Sequence, residues 1–460
     1  MVISSSKFEV RSSMYAGHGF RETDKGIDMI EQTYSKLGRA MRLALACGLT
    51  AGVATMAGGA SVSAAPSAIV IGNFNPFSGA DASFGPEMVA GCQPAVRLIN
   101  AGGGVLGHKF SCVEFDTRGD PADAVPAANK MIATNSSLGG ILGPSADEAL
   151  ATVPILEQAK VPMFVDTGQA FFDKSSYKYL WRITPADDVK GYALALWAKK
   201  AGYTRAAAIF GNDAGSQSDV PTLLKAWKKL GGKMVENVKL ALDQSSYRTE
   251  IEQMLASKPQ VIFTEIDPQT AGTFFSELQQ LHGLIPVLGT EITLQSPWLK
   301  AVTGAIGKQA MTKYITGMQP YAPTAGASWT TYNKALLASK SQVPQPAQWS
   351  SDPYSMTYYD GVTVMALAML AAHSTDRGTY NKSIMTVTEP GAGKTVVHSF
   401  AEGKAALAKG EKIQYVGAGG SIAFNKWHNS SGAFEAAQQV SGNVKIVGEV
   451  TANQIAALTK

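Results

Sequence analysis

Residues 69–121 read IVIGNFNPFSGADASFGPEMVAGCQPAVRLINAGGGVLGHKFSCVEFDTRGDP. Ile69 to Phe74 is a short apolar run that stops at Asn-Pro-Phe-Ser-Gly, the pattern of a buried strand ending in a turn. Glu87 to Asn100 carries Val89, Cys92, Val96 and Ile99 at helical spacing, an apolar stripe fit to lie on a sheet. Phe110 to Phe115 reads as a second strand, closed by the polar loop Asp116 to Pro121. Strand, helix and strand make one βαβ unit. In open α/β sheets ligands bind outside the carboxyl ends of the strands, which makes 75–85 the first functional address.

Outward from this unit the alternation continues. Helical patterns near 121–132 and 147–158 separate the apolar runs at 139–143, Val161 to Val165 and Tyr179 to Ile183. A second series starts at Asp187-Asp188 and runs through strands at 206–210, 234–240, 260–264 and 285–288. Two such series predict an α/β fold of two doubly wound lobes with parallel sheets. Past residue 312 the pattern changes, with a strand at 314–318, a Pro-rich turn at 319–323, helices at 325–339 and 354–372, and β-rich sequence over 413–450. The expected organisation is 66–186 as the first part of lobe 1, 187–312 as lobe 2, 313–412 returning to lobe 1, and 413–460 completing lobe 2.

The 460 residues are 45% hydrophobic and 17% charged, with a formal charge of +4 that is not gathered into runs. Nothing here suggests a nucleic-acid surface. Lys36, Arg39 and Arg42 precede an apolar Ala/Gly-rich run from Leu43 to about Ala60, followed by Ser-Val-Ser-Ala-Ala-Pro. These are the three parts of a secretory signal, so 1–65 is expected to be a leader, with the signal over about 36–65 and cleavage after Ala64 or Ala65. Met41 offers an alternative start. Beyond the leader, 33 basic residues face 31 acidic ones. Cys92 and Cys112 then lie in an oxidising compartment, where a bridge and two buried thiols are both open.

Two phosphate-binding patterns are better read as loops. Gly102 to Gly107 matches G-x-G-x-x-G but follows a helix and precedes a strand, the reverse of the order that aims a helix N-terminus at pyrophosphate. Gly391-Ala392-Gly393-Lys394-Thr395 lacks the first P-loop glycine, whose place Thr388 takes. No hydrolase elbow or zinc-protease motif occurs, and the histidines past the leader (His108, His282, His373, His398, His428) are scattered. No cofactor and no metal site are expected.

What remains is a set of polar loops after strands: Asn75 to Phe84, 143–147, 166–169, 212–217, 265–267 and 289–291. Each is read first as a turn or helix cap. Together they ring one rim, where N–H groups and hydroxyls suit a carboxylate and acidic side chains suit a cation.

The chain resembles the periplasmic solute-binding proteins of ABC transporters, in the branched-chain amino-acid (Leu/Ile/Val) receptor group. The resemblance rests on Asn75-Pro76-Phe77-Ser78-Gly79, Phe84-Gly85, Ile99 to Gly107, Asp116 with Asp120-Pro121, Ile141 to Pro144, Val161-Pro162 and Tyr359 to Val362. It covers essentially 68–460. It implies a type I periplasmic binding protein, with two lobes joined by a three-crossover hinge and a ligand cleft between them. It further implies Phe84 over the solute, Ser78 in the first loop, Ser145 or Ala146 in a carboxylate-binding loop, and Thr167, Gly168 and Gln169 in a second. Glu291 would take the α-ammonium group, and Asp267 would face the cleft. The family pattern is departed from at Asn212 to Gly215, where an aromatic wall is missing, and at Pro94, which is expected to interrupt the first helix.

The function so implied is a non-enzymatic, monomeric periplasmic receptor. It would bind a small carboxylate, foremost an amino acid, and dock on an ABC permease. An aromatic-carboxylate receptor is the alternative, followed by a sensor ectodomain and an exported hydrolase.

Overall fold

The computed structural model describes residues 67–459 apart from 80, 83 and 431. The expected leader and its cleavage site therefore lie outside the described residues. The first series is β1 (Ile69–Asn75), α1 (Gly85–Ala101), β2 (Phe110–Asp116), α2 (Pro121–Thr134), β3 (Leu138–Leu142), α3 (Ala146–Gln158), β4 (Met163–Val165) and β5 (Leu180–Arg182). Its five strands are all parallel, in the order β2-β1-β3-β4-β5.

The second series comprises α4 (Asp187–Lys200), β6 (Arg205–Gly211), α5 (Ala214–Ser218), α6 (Val220–Lys229), β7 (Lys233–Leu240), α7 (Arg248–Ala256) and β8 (Val261–Glu265). It continues with α8 (Pro268–Leu281), β9 (Val287–Gly289), α9 (Ser296–Ile306), α10 (Lys308–Tyr314) and β10 (Ile315–Pro320). The chain then forms α11 (Ala327–Ala338), α12 (Pro353–Ala371), α13 (Arg377–Tyr380), α14 (Ile384–Thr388), β11 (Thr395–Val397) and α15 (Phe400–Ala408). It closes with β12 (Ile413–Gly417), β13 (Gly420–Ser421), β14 (Phe434–Val440), β15 (Asn443–Val450) and α16 (Ala452–Thr459).

The second sheet has seven strands in the order β15-β14-β10-β9-β8-β6-β7. Its β10-β9-β8-β6-β7 part is parallel, and β14 and β15 add on antiparallel. Each sheet is covered by apolar clusters on both faces, as doubly wound lobes require. The chain crosses between lobes three times: after β5, after β10 and before β14.

Two expected boundaries move. β10 is buried along its whole length and pairs with β9, so 315–320 belongs to the second lobe and not the first. β12 pairs with β11, and Ile413, Tyr415 and Phe424 join the core around α12, so 413–424 stays with the first lobe. An apolar strand finds its sheet by the edge open to it, which sequence spacing does not reveal.

α12 is buried on nearly every side and packs along α1. The helices approach closely at Gly91, where a Cβ would stand 2.6 Å from both the Ser355 carbonyl oxygen and the Tyr358 Cβ. Pro94 does not interrupt α1, which runs unbroken from 85 to 101. The N–H that proline lacks costs one turn bond, and burial of this helix against α12 holds it in place. Cys92 on α1 and Cys112 on β2 form a disulfide, with Cα atoms 6.2 Å apart.

The glycine-rich turn after α1 lies at the amino end of β2, away from the 75–85 rim. Gly103, Gly104 and Gly107 hold positive φ there, and the Lys404 ammonium donates to the carbonyls of Gly102 and Gly104.

Candidate functional site

The first rim is built where the strand order reverses. β1 lies between β2 and β3, so the loops leaving β1 and β3 diverge and open a crevice. Asn75, the last residue of β1, spans it: its side-chain amide donates to the Leu142 carbonyl (3.2 Å), and its carbonyl accepts from the Ser145 hydroxyl (2.9 Å). The loop after β1 is folded onto the one after β2. Asp116 accepts from the N–H groups of Phe77 (2.9 Å), Ser78 (3.1 Å) and Arg118 (2.9 Å), and from the Ser78 hydroxyl (2.5 Å). Partial burial works to raise this carboxyl, and the donors outweigh it and hold it below its ordinary range.

The strand ends of both lobes face one cavity of about 730 Å³, inside the roughly 300–1,000 Å³ typical of small-molecule sites. Of the residues expected at the site, Phe84, Ser145, Gly168, Asp267 and Glu291 line it. Ala146 opens α3.

Ser78, Thr167 and Gln169 do not line the cavity. The Ser78 hydroxyl is spent on Asp116. Thr167 is 1% exposed and Gln169 4%, and the Gln169 carbonyl accepts from the buried Arg182 guanidinium (2.9 Å), itself ion-paired to Asp173 (2.7 Å). The loop after β4 thus turns these two side chains inward, leaving Gly168 at the wall. Ser145 precedes α3 without capping it, so the first-turn N–H groups of α3 have no side-chain acceptor from that residue.

Glu291 has a partner that sequence reading missed. The ammonium of Lys190, on α4, stands 2.9 Å from Glu291, 3.6 Å from Asp219 and 3.7 Å from Glu265. Lys190 is 6% exposed. Tyr354, in the first turn of α12, hydrogen-bonds to Glu291; burial pushes its hydroxyl pKa well up, and the charge of Glu291 adds to this. The expected acceptor of a solute ammonium therefore already holds one from the protein. Lys190 was hidden because it lies inside a helix and not in a strand-end loop.

The far part of the cavity is acidic. Burial pushes Asp81 up to about 6, helped by the charges of Glu148, Asp213 and Asp267. Asp147 is likewise pushed up to about 6 by burial, then by Asp213 and Asp81. Glu148 is raised, chiefly by burial, although the Thr117 hydroxyl donates to it (2.7 Å). Asp147 and Glu148 sit in the first turn of α3, where a helix favours negative charge. Asp213 caps α5 and Asp267 caps α8. The lobes touch here: the Gly215 N–H donates to Asp147 across the cavity (3.1 Å).

Among the described residues no group of three His, Cys, Asp or Glu side chains is arranged to hold a metal ion, and no helix is long and apolar enough to cross a membrane.

A family model of periplasmic binding proteins matches residues 68–408. Among curated proteins, the chain is 29% identical over 178 residues to the Leu/Ile/Val-binding protein BraC3 of Rhizobium johnstonii, covering 38% of this chain and 48% of that one. It is 41% identical over 64 residues to an amino acid binding protein of Pseudomonas aeruginosa, covering 14% and 17%. The match thus spans less than half the length of these relatives. Among solved structures, the leucine binding protein LivK of Thermotoga maritima superposes with a TM-score of 0.67 at 18% identity, over 84% of this chain and 99% of that one. A solute binding protein of an R. palustris ABC transporter, in complex with benzoate, gives 0.64 at 17% identity, over 84% and 96%. At such identities the likeness is one of fold.

Proposed function

The chain belongs to the periplasmic binding protein family, and on that premise we propose that it is a non-enzymatic periplasmic receptor that captures a small solute and delivers it to an ABC importer. One observation carries this reading: a single cavity is walled by the strand ends of both lobes, and a hydrogen bond from Gly215 to Asp147 joins its two sides. A solute bound there gains contacts from both lobes only when they close, so binding and closure favour each other. The permease would then read the closed form.

An amino acid is the foremost solute. The strand-end loops at Ser145 and Gly168 would meet its carboxylate, and the acidic wall suits its ammonium group. The names of the curated relatives, Leu/Ile/Val-binding and amino acid binding, lend support. An aromatic carboxylate is the second reading. It is favoured by Lys190, which already fills the place at Glu291 that an amino acid's ammonium group would take.

A thermal-shift screen of the purified protein against amino acids and aromatic acids tests the receptor reading, because a tight ligand raises the melting temperature. Stabilisation by an amino acid supports the first reading and stabilisation by benzoate the second. Steady consumption of the solute, followed by mass spectrometry, would instead indicate an enzyme.

A further inference from the structure

Charge in the cleft is unequal. Among the described residues ten carboxyl-bearing side chains line the cavity, against Lys190 as the one basic residue. That lysine is already shared by Asp219, Glu265 and Glu291. Asp81, Asp147, Glu148, Asp213 and Asp267 influence one another electrostatically across the lobes, and among the described residues no ion pair reaches any of them. One carboxyl oxygen of Asp267 is buried with no hydrogen-bond donor.

Glu87 is an independent second observation. It is 3% exposed, it lines this cavity and the smaller one of about 430 Å³ that adjoins it, and no donor among the described residues reaches its carboxyl. A buried carboxyl without a partner is costly, and a bound cation removes that cost. Like charges facing each other across a hinge oppose closure, and a cation between them reverses the sign. The carboxylates do not converge as metal ligands would. They are spread along the cleft, which suits an extended organic cation.

Resting on the reading of this cleft as the solute site, we propose that the solute carries at least two cationic nitrogen groups, as in a basic amino acid or a diamine. One group meets Glu87, and the other lies between Asp81 and Asp147 of one lobe and Asp213 and Asp267 of the other. The cation replaces the repulsion between lobes with attraction, so closure itself selects for charge.

The test is titration calorimetry of the purified protein at low salt with arginine, lysine, agmatine and putrescine, against leucine and benzoate. The expected result is that one of the cations binds about tenfold or more tighter than leucine and benzoate. Asp81→Asn should weaken that cation by about tenfold, the worth of one charge-assisted contact, without lowering the ligand-free melting temperature. Affinity should also fall between about pH 7.5 and about pH 5.5, because Asp81 and Asp147 gain protons there beside Glu148, Asp213 and Asp267. Binding of leucine or benzoate with no cation bound overturns the proposal and leaves the receptor reading standing. Cation affinity unmoved by Asp81→Asn overturns it too, and failure of every probe to bind overturns both.

Discussion

Asp147 and Gly215 belong to different lobes, and the hydrogen bond of 3.1 Å from the Gly215 N–H to the Asp147 carboxyl ties the opening turns of two helices together across the cleft. The side chain comes from α3, set by the strand it follows, and the N–H from α5, set by its Asp213 cap. Asp147→Ala removes the bond without touching either core. Ligand affinity should fall by about tenfold, the worth of a hydrogen bond to a charged group, and a smaller fraction of the protein should be closed when solute is present. Calorimetry and small-angle scattering with and without solute check both parts.

The pH dependence of the free protein follows from raised carboxyl pKa values. Asp81, Asp147 and Asp352 are pushed up to about 6, and Asp360 and Glu435 to about 7, in each case chiefly by burial. Their folded values lie above the ordinary carboxyl values of about 4 of the unfolded chain. Stability from these groups is therefore complete below about pH 4 and is lost as pH rises through about 6 to 7. Other acid-sensitive groups aside, the ligand-free melting temperature should drop from about pH 5 to about pH 7.5, and Asp81→Asn should flatten the drop. Thermal denaturation across that range gives the answer, and a rise sustained through it would contradict the assignment.

Lys190→Met tests the buried ion cluster. Removing the ammonium leaves Glu291, Asp219 and Glu265 facing one another near the cavity. Breaking a buried pair from one side costs about 3–5 kcal/mol, so urea unfolding should shift strongly to lower midpoint. Glu291→Gln keeps the lysine partly paired and should cost less. It should also weaken amino-acid binding if Glu291 reaches the solute, and unchanged affinity would reduce it to a holder of Lys190.

Asp360 illustrates a motif residue with a structural task. Its carboxyl, fully buried, accepts from the Tyr415 hydroxyl and from the N–H groups of Ala418 and Gly419, each at 2.8 Å. Asp360→Ala strands three donors under α12 and should cost about 3 kcal/mol or more. Solute affinity of the folded fraction should stay unchanged, because Asp360 does not line the cavity.

The alternation of strands and helices was legible because each βαβ unit writes its own periods into the sequence. Ser145, Gly168, Asp267 and Glu291 lie two or three places past a strand, where short loops leave little room to be elsewhere, whereas Phe84 stands nine places past β1 and was expected at the cavity only from the family resemblance. Ser78, Thr167 and Gln169 obeyed the same rule and still missed the cavity. Local turns gave their side chains to Asp116 or to the interior.

Sequence alone determined the two-lobed α/β class, the rim on which a site must form, and the residues from which it could draw. Tertiary structure decided which sheet took β10, whether Cys92 met Cys112, and that Lys190 would stand at Glu291. The physical reason is range. Periodicity and turn chemistry act over a few residues, whereas the sign and magnitude of charge in the cleft depend on groups as far apart in sequence as Asp81 and Asp267, which only the packing of two lobes brings together.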